Sequence, residues 1–212
     1  MEQLTADEVL TTTRAVRRRL DLTRPVSQDL VEQCVEIAMQ APSGSNRQDY
    51  GFVGVCDPDL RAAVADIYRR SVDNAVKTPI DYEQGDVRGP AQERLNSAGA
   101  HLRDHLAEVP WLVIATVRRK PSQNADSREL ASLYGSVMPA FWSFMLAARA
   151  RGLGTCLTTR HLTYEQETAE LLGIPYDEVT QVGMTPLAYF TGTTFKPAAR
   201  IPVGEILHTN RW

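Results

Sequence analysis

The sequence predicts a single α+β domain over residues 1–212, in which several helices pack on a sheet of few strands. The chain has 212 residues, of which 43% are hydrophobic and 23% charged, enough apolar content and length to bury a sizeable core. Single strand patterns are separated by long helical patterns, which favours an α+β sandwich over a regular βαβ series. The same composition excludes intrinsic disorder, a collagen-like fibre and a disulfide-stapled miniprotein.

The charge balance argues against a general affinity for polyanions. Lysine and arginine number 23 against 26 acidic residues, a formal net charge of -3, so we expect neither nucleic acid nor a membrane surface as a partner. No segment reaches the roughly 18 consecutive apolar residues of a membrane span. A site for an anion must therefore be a local cluster.

The three cysteines predict a reduced, cytoplasmic protein. Cys34, Cys56 and Cys156 are far apart and odd in number, and the polar, acidic N-terminal residues do not resemble a secretory signal. Each lies in an apolar stretch, so we expect small buried side chains, with a catalytic thiol as the less favoured alternative.

Capping signals mark the first two helices. Thr5 and Glu8 have the form of a capping box, which predicts an opening helix that continues through Leu20 to a basic end. Ser27 is suited to cap a second helix, which Pro42 ends.

Four apolar runs predict the strands. Residues 51–56 indicate a buried strand, 111–117 a clearer second strand, and 155–159 a third. Residues 181–190 form the fourth pattern, which Pro186 interrupts.

The remaining periodic segments predict helices over residues 59–76, 91–106 and 130–151, and one that Thr163 caps and Gly173 ends. The segment 130–151 is hydrophobic on nearly every face, so we expect its burial both in the core and at a subunit interface. The polar residues 73–90 are typical of a mobile excursion or lid.

Four arginines occur within six residues near the N-terminus, at positions 14, 17, 18 and 19. On a helix, Arg14, Arg17 and Arg18 would share a face and repel one another unless an anion lay between them. A solvated basic helix end explains the same residues and, from charge alone, is the better interpretation.

Two further polar segments are candidates for ligand contact. The loop from Pro42 to Gln48 offers small hydroxyl and amide groups that suit the edge of a heteroaromatic ring, although this is also ordinary turn composition. The segment from Phe195 to Arg200 is cationic and means little by itself.

In this order and at these separations, the motifs resemble those of the FMN-dependent nitroreductase family. That family's pattern reads Arg-x-Ser-x-Arg/Lys, Pro-Ser-x-x-Asn-x-Gln, Gly-Leu-Gly and a basic Lys-Pro or Arg-Pro segment. The matching stretches here are residues 14–18, 42–48, 152–154 and 196–202. The resemblance extends over nearly the whole chain.

The resemblance implies a three-layer sandwich with a central, mostly antiparallel sheet, an intertwined homodimer, and FMN in each of two clefts at the subunit interface. Arg14 and Arg200 match positions that hold the FMN phosphate, and Arg18 matches a cation near N1 and O2 of the flavin ring, where it would raise the potential. The matched cofactor-binding residues are Arg14, Ala15, Val16, Arg18, Pro42, Ser43, Gly44, Ser45, Asn46, Gln48, Leu157, Thr158, Thr159, Lys196 and Arg200.

The chain departs from the pattern at three places. Val16 replaces the usual serine, Asp49 and Tyr50 replace the common Pro-Trp, and Ala198 stands where some members have a second phosphate-binding lysine. These changes bear on phosphate affinity and on the shape of the site more than on the fold.

The implied activity is transfer of a hydride from NAD(P)H to bound FMN and of electrons onward to a small planar aromatic acceptor such as a nitroaromatic or quinone. No side chain is expected to act as a catalytic acid or base, because the flavin performs the chemistry. A protein that stores FMN without turnover is the alternative, and a flavin oxidase or dehalogenase is another enzyme on the same scaffold. His101 and His105 lack a third ligand, so no metal site is expected.

Overall fold

A four-stranded antiparallel sheet forms the middle of three layers in the computed structural model, which describes residues 4–76, 80 and 82–212. The strands are β1 (Tyr50–Val55), β2 (Trp111–Val117), β3 (Leu153–Thr155) and β4 (Thr180–Tyr189), in the spatial order β1-β2-β4-β3. The three-layer, antiparallel architecture predicted from the sequence is confirmed.

Alternating side chains of β2 divide the core into two halves. Leu112 and Ile114 pack with α3 (Pro58–Asp73) and α4 (Gln92–His105) on one face of the sheet. Trp111 and Val113 pack on the other face with α2 (Gln28–Ala38) and α5 (Ser127–Ala150). All seven residues of β2 are buried, because helices cover both faces.

The first helix, α1 (Ala6–Thr12), begins at the predicted capping box, in which Thr5 and Glu8 bond reciprocally. It ends eight residues before the predicted end at Leu20. Thr13 adopts an extended conformation, and Ala15 pairs with Thr155 at the free edge of β3. The prediction of one continuous helix with three arginines on a shared face is therefore wrong, because the arginine segment joins the sheet instead.

The predicted buried strand at 51–56 is β1, but it is an edge strand with only one face well covered. Val55 is buried, whereas Gly54 and Cys56 are exposed. The expectation of buried cysteines is correct for Cys34 and Cys156 and wrong for Cys56.

The fourth strand is continuous through its proline, contrary to the predicted interruption. Pro186 pairs opposite Leu112, and the irregularity in this ladder lies between Ala115 and Thr116. A proline lacks the backbone donor but can keep an extended conformation, so β4 passes through the position.

Helix α5 is the longest element and ten of its residues are buried. Within the described residues it is the one helix long and apolar enough, by length and composition, to cross a membrane. Core helices pass the same test, and burial in the core explains the apolar face that α5 presents to α2 and the sheet.

The segment after α5 differs from its prediction. Strand β3 covers Leu153–Thr155 rather than 155–159, and Thr158 forms an isolated bridge with Met184. The predicted capping box at Thr163 is absent, since α6 (Glu165–Leu172) follows a 3₁₀ turn over Arg160–Tyr164. The helix ends at Gly173 with a φ of 66°, as predicted.

The predicted excursion over residues 73–90 lies partly outside the described residues, at positions 77–79 and 81. Its described part contains Arg88, which forms an ion pair with Asp86 (2.6 Å) and stacks on Tyr82.

Candidate functional site

The arginine segment runs antiparallel to the chain that leaves β4. Leu20 bridges Phe190, and the Thr191 amide donates to the Arg19 carbonyl oxygen (2.8 Å). In the same register, the Arg14 guanidinium donates from Nη1 to the Lys196 carbonyl oxygen (3.1 Å). The two backbones pair at residues 19–21 and 189–191, and this pairing brings Arg14 to the cationic tail segment.

This pairing brings the backbone of Lys196 and the charge of Arg200 to Arg14. We call Arg14, Lys196 and Arg200 the cation cluster. Burial, and then the nearby charge of Arg200, lower the pKa of Arg14. Within residues 4–76, 80 and 82–212, none of the three forms an ion pair with a carboxylate. Neighbouring cations without an acidic partner favour binding of an anion such as a phosphate.

The Arg18 side chain contacts the neighbouring helix α4. Its Nη2 donates to Ser97 Oγ (2.5 Å), and burial, His105 and Arg18 together lower the pKa of His101. The His101 and His105 rings are 4.4 Å apart, and no group of metal-binding side chains occurs in the described part of the chain.

The predicted residues 157–159 border the same edge of the sheet. Thr158 exchanges two backbone hydrogen bonds of 2.8 Å with Met184, which fixes this turn against β4. Leu157 and Thr159 are exposed on either side. The Tyr68 side chain forms a hydrogen bond with Thr158, and burial raises the pKa of this tyrosine.

The polar loop 42–48 is held in an uncommon conformation. Ser45, Asn46 and Gln48 have φ values of 54°, 52° and 51°, which non-glycine residues adopt rarely. Ser43 Oγ accepts from the Gln48 amide (3.0 Å), and the Gly44 amide donates to Ser136 Oγ on α5 (3.1 Å). Clustered backbone strain of this kind is typical of ligand-binding loops.

The loop and the cation cluster lie at opposite ends of the molecule. The loop leads into β1 at one edge of the sheet, whereas Ala15 pairs with β3 at the other. On α5 the loop contacts Ser136, while Arg149 near the cation cluster lies thirteen residues further, about 20 Å along the axis. One chain therefore presents two separate halves of the predicted site.

A groove of about 750 Å³ lies between α2 and β1, away from the cation cluster. Gln48 is the one predicted site residue that lines it, together with apolar side chains such as Met39 and Phe52. In the single chain, Lys196 and Arg200 are exposed and Arg14 is partly exposed.

Sequence reasoning missed the residues that support the site. Ser97, Ser136 and Tyr68 hold predicted site residues but have no local signal. Arg149 had one, since it follows a stretch of α5 that has no charged residue from Leu130 to Ala148.

The chain belongs to the nitroreductase family, whose model matches residues 10–189. It is 24% identical over 190 residues to the iodotyrosine deiodinase of Drosophila melanogaster, covering 85% of this chain. The chain spans 61% of the length of that relative.

Solved structures share the fold at low identity. The FMN- and NADPH-dependent nitroreductase NfnB from Sphigopyxis sp. strain HMH has a TM-score of 0.71 and 20% identity, over 99% of this chain and all of that one. An iodotyrosine deiodinase bound to FMN and 3-iodo-L-tyrosine has a TM-score of 0.69 and 21% identity, over 98% of this chain and 100% of that one. A BluB-like flavoprotein from Clostridium difficile 630 has a TM-score of 0.67 and 19% identity, with the same coverage.

Proposed function

We propose that this protein is an FMN-dependent oxidoreductase that uses NAD(P)H to reduce small planar aromatic compounds, with nitroaromatics and quinones as the first acceptors to test. The observation that carries the proposal is the cation cluster of Arg14, Lys196 and Arg200, which has no acidic partner among the described residues. Membership of the nitroreductase family supports it, as does the FMN named in two structures of the same fold.

The residues present fit FMN at both of its ends. Arg14, Lys196 and Arg200 would hold the phosphate, because guanidinium groups bind phosphate oxygens in pairs. Arg18 would lie near the pyrimidine edge of the ring, with Ser97 holding its guanidinium. A cation there stabilises the negative charge that a flavin gains on reduction.

When bound, FMN would accept a hydride from NAD(P)H and pass electrons to the acceptor. The chain's own residues would bind the flavin and orient the acceptor beside it. Leu157 and Thr159 are exposed beside the fixed Thr158 and would form part of the wall against which planar compounds stack. No residue is assigned a proton-transfer role, as the sequence also indicates.

The site would be completed by a second copy of the chain. The loop 42–48 and the cation cluster lie at opposite edges of the sheet, so we propose a homodimer in which each FMN contacts the cluster of one subunit and the loop of the other. An exposed apolar stripe on α5, formed by Leu130, Tyr134 and Trp142 at four- and eight-residue spacing, supports such an interface.

The direct test is a visible spectrum of the purified protein reconstituted with FMN, followed by anaerobic NADPH and then an acceptor. Bound flavin that bleaches and recovers on addition of a nitroaromatic or quinone supports the proposal. Flavin that binds but is never reduced favours storage of FMN instead. A protein that binds no FMN contradicts the proposal entirely.

Halogenated phenols belong in the same acceptor panel, because the Drosophila relative is an iodotyrosine deiodinase. Recovery of the flavin with release of halide, and with no turnover of nitroaromatics, would replace the proposed acceptor class by a dehalogenase reaction.

A further inference from the structure

Two arginines and two phenylalanines, Arg19, Arg149, Phe190 and Phe195, form a compact cluster next to the cation cluster. The guanidinium carbon of Arg19 lies 4.1 Å from the Phe195 ring centroid and 5.4 Å from that of Phe190. The guanidinium carbon of Arg149 lies 5.3 Å from both centroids, and the rings are 4.8 Å apart. We call these four residues the arginine–phenylalanine cluster.

Arg149 is an unusual residue in this cluster because it is a buried cation without an acidic partner. Its exposure is 5%, and its Nη2 donates to Thr12 Oγ1 (3.0 Å). Nε has no hydrogen-bond partner in the described part of the chain. Burial, and then the charge of Arg19, lower the pKa of Arg149. An unpaired buried charge is costly, so contacts with the two ring faces must offset that cost.

The cluster fixes the turn that follows β4. Arg19 donates from Nε to the Thr191 carbonyl oxygen (2.6 Å) and from Nη1 to the Thr194 carbonyl oxygen (3.0 Å). Phe195, which follows Thr194 in the sequence, is half-buried, whereas Lys196 and Arg200 are exposed. Phe195 is thus the last anchored side chain before the two cations of the tail.

We propose that Arg149, together with Arg19 and the two rings, positions Lys196 and Arg200 beside Arg14 and so adapts the protein to the phosphate end of flavin mononucleotide. The inference rests on the function proposed above and assigns these residues no contact with reacting atoms. A phosphate is bound tightly only when several cations converge on it. Cations on an unanchored tail would first have to be ordered, which lowers affinity.

The test compares the dissociation constants of FMN and riboflavin, which differ only in the phosphate. Arg149→Met removes the charge and keeps the bulk, Arg149→Lys keeps the charge without the planar group, and Phe195→Leu removes one ring. Arg24→Met is the matched control, because the guanidinium carbon of Arg24 lies 3.4 Å from the Tyr189 ring centroid, outside the arginine–phenylalanine cluster.

We expect Arg149→Met to weaken FMN binding by about tenfold, because misplacing the tail would cost about one charge-assisted hydrogen bond between a tail cation and the phosphate. Riboflavin binding should change by less than about twofold. Phe195→Leu should act in the same direction and Arg149→Lys less strongly. The control should bind both flavins as the wild type does.

Equal losses for FMN and riboflavin would show a general structural role and overturn the inference, as would no loss for either. If Arg149→Met does not fold, as judged by its thermal melt, the FMN-to-riboflavin ratio of Phe195→Leu decides by the same criterion. A wild-type protein that binds neither flavin overturns the proposed function itself, whereas tight FMN binding with unchanged variant ratios overturns this inference alone.

Discussion

The buried histidine of the 3₁₀ turn over Arg160–Tyr164 predicts a specific loss of stability in acid. His161 has no exposed surface, and neither ring nitrogen has a hydrogen-bond partner among the described residues. Burial lowers its pKa from 6.5 to about 4. Between these two values the unfolded chain binds a proton that the folded chain does not, so the free energy of unfolding falls as the pH decreases through this window.

The magnitude follows from the two pKa values. Above pH 6.5 His161 is neutral in both the folded and the unfolded chain, and the free energy of unfolding falls progressively as the pH decreases from 6.5 toward 4. By about pH 5 the loss is about 2 kcal/mol, a large share of the stability of an ordinary domain.

Urea unfolding of the wild type and of His161→Leu, at about pH 7.5 and about pH 5 and at fixed protein and FMN concentrations, measures this effect. At the higher pH we expect the variant to be at least as stable as the wild type, because the imidazole makes no hydrogen bond that the variant would lose. Between the two pH values the variant should lose about 2 kcal/mol less than the wild type. Equal acid sensitivity in wild type and His161→Leu would refute the reasoning.

Three further predictions concern the core, a helix end and the subunit interface. Phe141→Ala should lower the free energy of unfolding by about 3–5 kcal/mol, because Phe141 is fully buried on α5; a loss below about 1 kcal/mol in chemical denaturation would contradict the packing. Gly173→Ala should cost about 1 kcal/mol, since the φ of 66° at this C-cap is left-handed, and an unchanged unfolding midpoint would argue against that conformation. Trp142→Glu should shift the protein toward monomers in size-exclusion chromatography with light scattering, because Trp142 lies on the exposed stripe of α5; an unchanged dimer would place the interface elsewhere.

Elements with local signals could be predicted closely from the sequence. The capping box of Thr5 and Glu8, the stop at Gly173 and the apolar run of β2 all depend on residues within a few positions of each other. The order of the motifs along the chain also predicted the family and, through the resemblance, the three-layer sandwich.

Elements that depend on a distant partner could not be predicted in the same way. The first helix ends at Thr12 because Ala15 and Val16 pair with Thr155, a contact over about 140 positions that no local pattern contains. Pro186 remains in β4 because it lies opposite Leu112 at a position that the ladder tolerates. Local propensity loses to tertiary pairing in both cases.

The candidate site shows the same division. The sequence indicated which residues form the cation cluster and the loop, but their placement at opposite edges of the sheet follows from the strand order. The contact between Arg149 and Phe195 could not be predicted either, because it joins α5 to a segment more than 40 positions away.

The most direct test of the shared site is complementation between two inactive chains. Arg14→Met damages the cation cluster, and Asn46→Glu adds an acidic group to the loop that the proposal assigns to the partner's flavin. Each variant alone should show little NADPH-dependent reduction of FMN. Co-expressed chains that mix at random form heterodimers with one intact and one doubly damaged site, so the account predicts recovery of about a quarter of the wild-type activity. Folded, dimeric mixtures with no recovery above the parent variants would contradict a flavin site built from two copies of this chain.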